Sequence, residues 1–200
     1  MRKNGQYIVR RETVLAENWG RLSRYDLELK TRSGEWQTMS REVYDHGDGV
    51  ACLLFDPDEE TVLLTRQFRL PAAVAGNDGF LIEAPAGLLD GDRPEARMIK
   101  EMEEETGYRV SSLTYLFSIF MSPGSLTEKI DLFSGVYDRK QHSVGPGGGI
   151  AEEGEDIEVL HIRFDDALAM IRTGEISDAK TVILLQQLAL EMGRFSGHAR

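Results

Sequence analysis

Between Gly87 and Tyr108 the chain reads GLLDGDRPEARMIKEMEEETGY, a helix whose two ends are written into the sequence. Asp92 is placed to act as N-cap, Pro94 suits the first turn, and Glu95 follows three residues after Asp92 as in a capping box. Gly107 supplies a left-handed stop. Four glutamates, Glu101, Glu103, Glu104 and Glu105, crowd the C-terminal half. That end of a helix carries partial negative charge and opposes carboxylates, and like charges at i,i+4 add to the cost. A cation near the last turn resolves both conflicts. At about 100° per residue, Glu101 and Glu105 lie ~40° apart and Glu104 lies ~60° from Glu101 on the other side, whereas Glu103 lies ~200° away. Three carboxylates therefore converge on one volume, a donor set suited to Mg2+ or Mn2+. Alone, an acidic helix face is also compatible with simple solvation.

The flanking pattern predicts a mixed sheet. Residues 6–14, 22–30 and 36–44 read as strands, with Arg32-Ser33-Gly34 turning the last two into a hairpin. Strongly apolar strands follow at 50–56 and 61–68, and a short one runs from Phe80 to Glu83. Beyond Gly107 come strands at about 110–121 and 129–137, a polar loop from Ser143 to Gly154 centred on Gly145-Pro146-Gly147-Gly148-Gly149, a strand from Asp156 to Phe164, and two helices. Residues after Gly193 read as frayed. The expected class is α+β, a mixed sheet with helices on each side over 46–200, preceded by an antiparallel strand unit over 1–45 that is too small to fold alone.

The net charge of -11 argues against a general nucleic-acid or membrane-surface binder and requires local cations or a metal for any anionic substrate. No apolar run reaches the roughly 20 residues of a membrane span, and the N-terminus has no signal-peptide core, so a cytoplasmic protein is expected. Cys52, the only cysteine, lies in an apolar run as a buried, inert thiol and excludes an internal disulfide. The four histidines, His46, His142, His161 and His198, lack zinc-site spacing, and the glycine run lacks the Gly-Lys-Ser/Thr ending of a P-loop.

Around the acidic helix the residues resemble the Nudix box, G-x5-E-x7-R-E-U-x-E-E-x-G-U with U aliphatic. Glu101 to Tyr108 match its second half and Gly87 its first glycine, while the segment is one residue short, Lys100 stands for the arginine, and Asp92 or Arg93 for the first glutamate. A shortened box of this kind resembles the GDP-mannose pyrophosphatase branch of the Nudix hydrolases, relatives of the ADP-ribose pyrophosphatases. Further segments carry the likeness: Ser40 to Asp45, Arg66-Gln67-Phe68-Arg69, Leu81-Ile82-Glu83, Met121 to Gly124 with Thr127-Glu128, Gly147 to Gly149, Asp156 to Leu160, and Gly174-Glu175-Ile176 before Lys180-Thr181.

That resemblance implies a Nudix α/β/α sandwich and Mg2+ or Mn2+ held by the Ala86 carbonyl, Glu101, Glu105 and Glu155, with Glu104 touching metal-bound water. For Glu155 the competing reading is a solvated acidic run with Glu152, Glu153, Asp156 and Glu158. The resemblance also implies substrate contacts from Arg69, Ala86, Gly87, Leu88, Glu128 and Lys180. Trp19, Ser40, Arg41 and Glu42 would reach the site of a partner subunit, so a homodimer is expected. Arg69 suits a diphosphate because its fork can meet two oxygens, and Arg66, at odd spacing, points to the other face. The expected reaction is hydrolysis of GDP-mannose to GMP and mannose 1-phosphate. ADP-ribose or another nucleoside-diphosphate sugar is the alternative substrate, and a non-catalytic nucleotide-sugar-binding module or an acidic scaffold the alternative class.

Overall fold

The structure, a computed structural model, describes residues 3–151 and 154–194, without the side chains of Lys3 and Asn4. Glu152, Glu153, His198 and the stretch from 195 onward lie outside the described residues. Two compact units emerge, one of Met1–Asp48 with Phe120–Lys129, the other of Gly49–Ile119 with Ile130–Arg200. The segment 120–129, which the sequence reading assigned to 46–200, thus groups with the N-terminal unit.

In the first unit, β1 (Lys3–Asn4), β2 (Tyr7–Glu17), β3 (Arg21–Lys30) and β4 (Trp36–Asp45) form an antiparallel sheet in that order. Asn18-Trp19-Gly20 closes the β2–β3 hairpin, with the Asn18 N–H donating to the Gly20 carbonyl at 3.0 Å. The segment after Phe120 docks on the outer edge of β4. Tyr44 N–H donates to Ser125 O at 2.8 Å, and Thr127 N–H donates to Tyr44 O at 3.1 Å.

In the second unit, β5 (Gly49–Asp56), β6 (Thr61–Phe68), α1 (Leu70–Val74), β7 (Phe80–Glu83), β8 (Ala86–Leu88), α2 (Pro94–Thr106), β9 (Thr114–Phe120), β10 (Lys129–Val136), β11 (Glu158–Arg163), α3 (Phe164–Thr173) and α4 (Ala179–Glu191) follow. The main sheet runs β11-β6-β5-β10-β9, and β5 and β10 pair in parallel. Val50 to Leu54 are all buried, as a strand covered on both faces requires. Val50, Cys52 and Leu54 pack with Met98 and Met102 of α2. Leu53 faces the side of Leu184 and Leu188 of α4. This is the sandwich expected.

The central strands also split. β5 pairs with β6 only over Leu54–Asp56, and its other end, Gly49–Ala51, pairs with β8. β6 leaves β5 to pair with β7 over Thr65–Phe68. The turn Ala84-Pro85 bridges the gap, and the Pro85 carbonyl accepts from Cys52 N–H at 3.0 Å. The split brings Glu83 and Ala86 to one end of the sheet, beside the C-terminal half of α2.

Helix α2 begins one residue later than expected. Its N-cap is Arg93, extended at φ -71, ψ 134, with no side-chain cap, and Pro94 is the first helical residue. A residue before proline is steered away from helical geometry, so Asp92 cannot head this helix with Arg93 inside it. At the other end Gly107 is left-handed at φ 73, as expected.

Candidate active site

The four glutamates of the C-terminal half of α2 meet four different fates. Glu103 faces outward and receives two N–H groups from Arg109, at 2.6 and 2.8 Å. Glu104 sits 3.3 Å from Lys100, one turn back. Glu101 is buried and ion-paired with Arg97, whose Nε also donates to the Leu88 carbonyl at 2.9 Å. Arg97 therefore ties α2 to β8, although the box arginine position holds Lys100. Its i,i+4 spacing to Glu101 is legible in the sequence as an ion-pair signal.

Glu105 differs from the other three. Only 2% exposed, it accepts one N–H, from Ala86 at 3.2 Å, and among the described residues no Lys or Arg contacts it. Burial pushes its carboxyl up to about 8, with the Glu101 charge adding to the shift. Burial also raises Glu101, to about 7, against the opposing pull of Arg97. Two interior carboxylates one turn apart, neither comfortable when ionised, form a site deficient in positive charge. Gly87 completes the cradle, since a Cβ there would collide with the Glu101 carboxylate. Two carboxylates with a strand backbone beside them match the donor set of Mg2+, which keeps waters and takes further oxygens from a phosphate. Among the described residues no group of three or more His, Cys, Asp or Glu side chains is gathered to hold a metal. Glu155 acts from a distance. It raises both Glu101 and Glu105 electrostatically, while its own Oε2 accepts from Ile150 N–H at 2.9 Å.

The glycine run before Glu155 has a structural task that the sequence reading did not foresee. Gly148 N–H donates to the Glu105 carbonyl at 2.8 Å and Gly149 N–H to the Glu104 carbonyl at 3.1 Å. These bonds satisfy orphan carbonyls at the end of α2. Gly147, at φ 67, lies so close to Thr106 and Gly107 that a Cβ would strike their backbone. Residues 147–149 are thus pinned to the helix and do not swing freely over it.

The charge of Arg69 also reaches Glu105. Arg69 follows β6 and caps α1, and its Nε and Nη2 both donate to Glu83 Oε2, at 3.0 and 2.7 Å. Glu83 is 3% exposed, and its Oε1 lies 3.4 Å from Lys180 Nζ. Lys180, also buried, donates to Asp178 at 2.9 Å. Asp178 is the N-cap of α4 and accepts from the Thr181 N–H and hydroxyl, while Ala84 N–H donates to that hydroxyl oxygen at 2.7 Å. The two cationic substrate-contact candidates of this unit, Arg69 and Lys180, both meet one buried acid, Glu83, whose partners lie too far along the chain for sequence to pair them. Arg66 instead meets Glu158 at 3.5 Å and covers the Phe80 ring.

The remaining candidates lie in the first unit. Trp19 is exposed and stacks on His46, and Glu128 lies 3.8 Å from His46. Ser40 donates to Asp26 at 2.6 Å, Arg41 donates to the Ser40 carbonyl at 2.8 Å, and Glu42 is exposed on β4 opposite Arg24. A cleft of about 690 Å3 lined by Leu53, Val110, Leu184 and Leu188 holds none of these residues and plays no part in the site. Among the described residues no helix is long and apolar enough to cross a membrane.

Known proteins resemble this chain over most of its length. Residues 8–44 match the family described as GDP-mannose pyrophosphatase NudK N-terminal domain, and residues 45–188 match the NUDIX domain. A protein of Cronobacter sakazakii named GDP-mannose pyrophosphatase is 47% identical over 181 residues, 90% of this chain and 93% of that one. Proteins of the same name from Pectobacterium atrosepticum and Klebsiella pneumoniae are each 46% identical, over 86% and 94% of this chain and 89% and 94% of their own lengths.

Proposed function

The chain belongs to the Nudix hydrolases, and on that footing we propose that it hydrolyses the diphosphate of GDP-mannose to GMP and mannose 1-phosphate. The observation that carries this reading is the buried pair of Glu101, whose one ion-pair partner among the described residues is Arg97, and Glu105, which meets only the Ala86 N–H there, in a chain nearly half identical to proteins bearing that activity in their names.

Mg2+ or Mn2+ would be held by Glu101, Glu105 and the Ala86 carbonyl, with Glu155 from the following loop. When bound, such an ion neutralises diphosphate oxygens and makes water a better nucleophile. The rest falls to the chain's own side chains. Arg69 and Lys180, held by Glu83, place fixed positive charge beside the carboxylates and offset the overall charge of -11 for an anionic substrate. Arg97 and Gly87 hold Glu101 in one orientation. Glu104, 3.3 Å from Lys100, would take a proton from attacking water. The water oxygen bonds to one phosphorus as that phosphorus parts from the bridging oxygen, and each product keeps one phosphate.

Residues 1–45 serve, in this reading, as a dimerisation unit that delivers Trp19, Ser40, Arg41 and Glu42 to a partner's site, and Glu128 contacts the substrate as well. The test is product identification by mass spectrometry after hydrolysis of GDP-mannose in ¹⁸O water, run beside ADP-ribose and other nucleoside-diphosphate sugars. GMP and mannose 1-phosphate, with one label between them and a rate above the rest of the panel, support the assignment. Equal rates on ADP-ribose defeat the narrow substrate claim, and no turnover with Mg2+ or Mn2+ defeats the enzyme reading. Sedimentation of the full chain tests the dimer.

A further inference from the structure

Trp19 stands at the tip of the β2–β3 hairpin with 72% of its surface exposed, yet one face of its indole is covered. The His46 imidazole stacks on it with centroids 5.1 Å apart and planes within 16°. Tyr44 tilts against the same imidazole at 5.6 Å. Three rings from two separate segments therefore form a short ladder. Its construction is specific. A Cβ on Gly20 would lie 2.5 Å from the Tyr44 hydroxyl oxygen, so only glycine after Trp19 lets Tyr44 pass.

His46 gains little from polar bonding in return. Its side chain is 12% exposed, Nε2 lies 3.8 Å from the Glu128 carboxylate, beyond hydrogen-bond reach, and the buried Nδ1 has no hydrogen-bond partner among the described residues. A buried polar atom left unpaired is unfavourable, so what this histidine contributes here is its flat face.

We propose that His46 is a positioning residue that holds the Trp19 indole flat, as a platform whose open face receives the nucleobase of the substrate. This rests on the reading above that Trp19 is delivered to the substrate in a partner's site. An unsupported indole on a hairpin tip samples several rotamers, and binding would have to select one of them. Aromatic pairs contribute about 0.5–1.5 kcal/mol beyond burial, which corresponds to roughly a two- to tenfold change in substrate affinity.

The test uses the full chain carrying Trp36→Phe, so that Trp19 is the only emitter. His46→Ala and His46→Leu should each raise KM roughly two- to tenfold with kcat within about twofold, and should shift Trp19 emission to longer wavelength. His46→Phe, which keeps a ring but loses both nitrogens, should restore KM and emission. His46→Leu conserves bulk and carries the test should the alanine variant not fold. Unchanged KM and emission in the ring-less variants overturn the proposal, as does failure of phenylalanine to rescue them. Trp19→Ala separates the two claims. If it leaves KM unchanged, the role of Trp19 itself fails. If it raises KM while His46→Leu does not, only the positioning role fails.

Discussion

Replacing Glu105 by glutamine should make the metal-free protein more stable at alkaline pH, an unusual outcome for a change at a buried polar site. In an unfolded chain this carboxyl titrates near 4.5, whereas burial and the Glu101 charge push it up to about 8 in the folded protein. A carboxyl whose folded value is the higher one stabilises the protein fully below the unfolded value, and that contribution fades as pH rises through the folded value. At about 1.36 kcal/mol per pH unit, the loss between pH 4.5 and 8 has a ceiling of about 5 kcal/mol. Burial is the larger cause and the Glu101 charge the smaller, and relaxation around the buried group lowers the ceiling to on the order of 2 kcal/mol. Removing the charge should therefore stabilise the metal-free protein by about 2 kcal/mol at pH 8.5 and by almost nothing at pH 5. For a chain of this size that amounts to about 4–8 °C in Tm. Thermal melts in EDTA at the two pH values measure it, and added Mg2+ should raise the wild-type Tm while leaving the variant's nearly unmoved. Identical pH dependence of the two proteins between 5 and 8.5 would refute the reasoning, because the buried charge would then carry no cost.

Three further outcomes follow from the same geometry. Gly87→Ala drives a methyl into the Glu101 carboxylate and should weaken Mn2+ binding, read by calorimetry, by roughly tenfold or more while the fold persists. Arg97→Met removes the cation that pulls the Glu101 carboxyl down, so the acidic limb of the pH–activity profile should move to higher pH, and an unmoved limb would count against the pairing. Gly147→Ala combines a left-handed φ of 67 with a clash against Thr106 and Gly107, and should lower stability by about 1–3 kcal/mol in a denaturant titration.

Sequence pattern located the elements wherever a long period was available. Strands β2 to β4 of the first unit, the apolar pair β5 and β6, the strand Phe80–Glu83 and both C-terminal helices lie within a few residues of their expected places. Short elements escaped. β8 has three residues and α1 five, with proline near its start and no buried side chain, so neither shows a period. The acidic helix was legible as a charge conflict because the conflict is local. Its partial resolution by Arg97 was equally local and went unnoticed, whereas the Glu83 network joins Arg69 at the start of α1, Glu83 of β7 and the head of α4, and no spacing rule reaches that far. The capping of α2 by Gly148 and Gly149 was hidden because a glycine run suggests freedom, and only the fold reveals that backbone N–H groups were wanted there.

The parallel pairing of β5 with β10 bears on how the molecule assembles. The two strands are adjacent in space but separated in sequence by β6, the acidic helix and β9. A contact of that reach closes a long loop and is made late, after local hairpins and helices have formed. On the ribosome, β5 must wait for its neighbour until β10 is synthesised. During that interval the apolar run from Val50 to Leu54 is left without the strand that flanks it in the native sheet, a natural point for chaperone engagement or for aggregation at high expression.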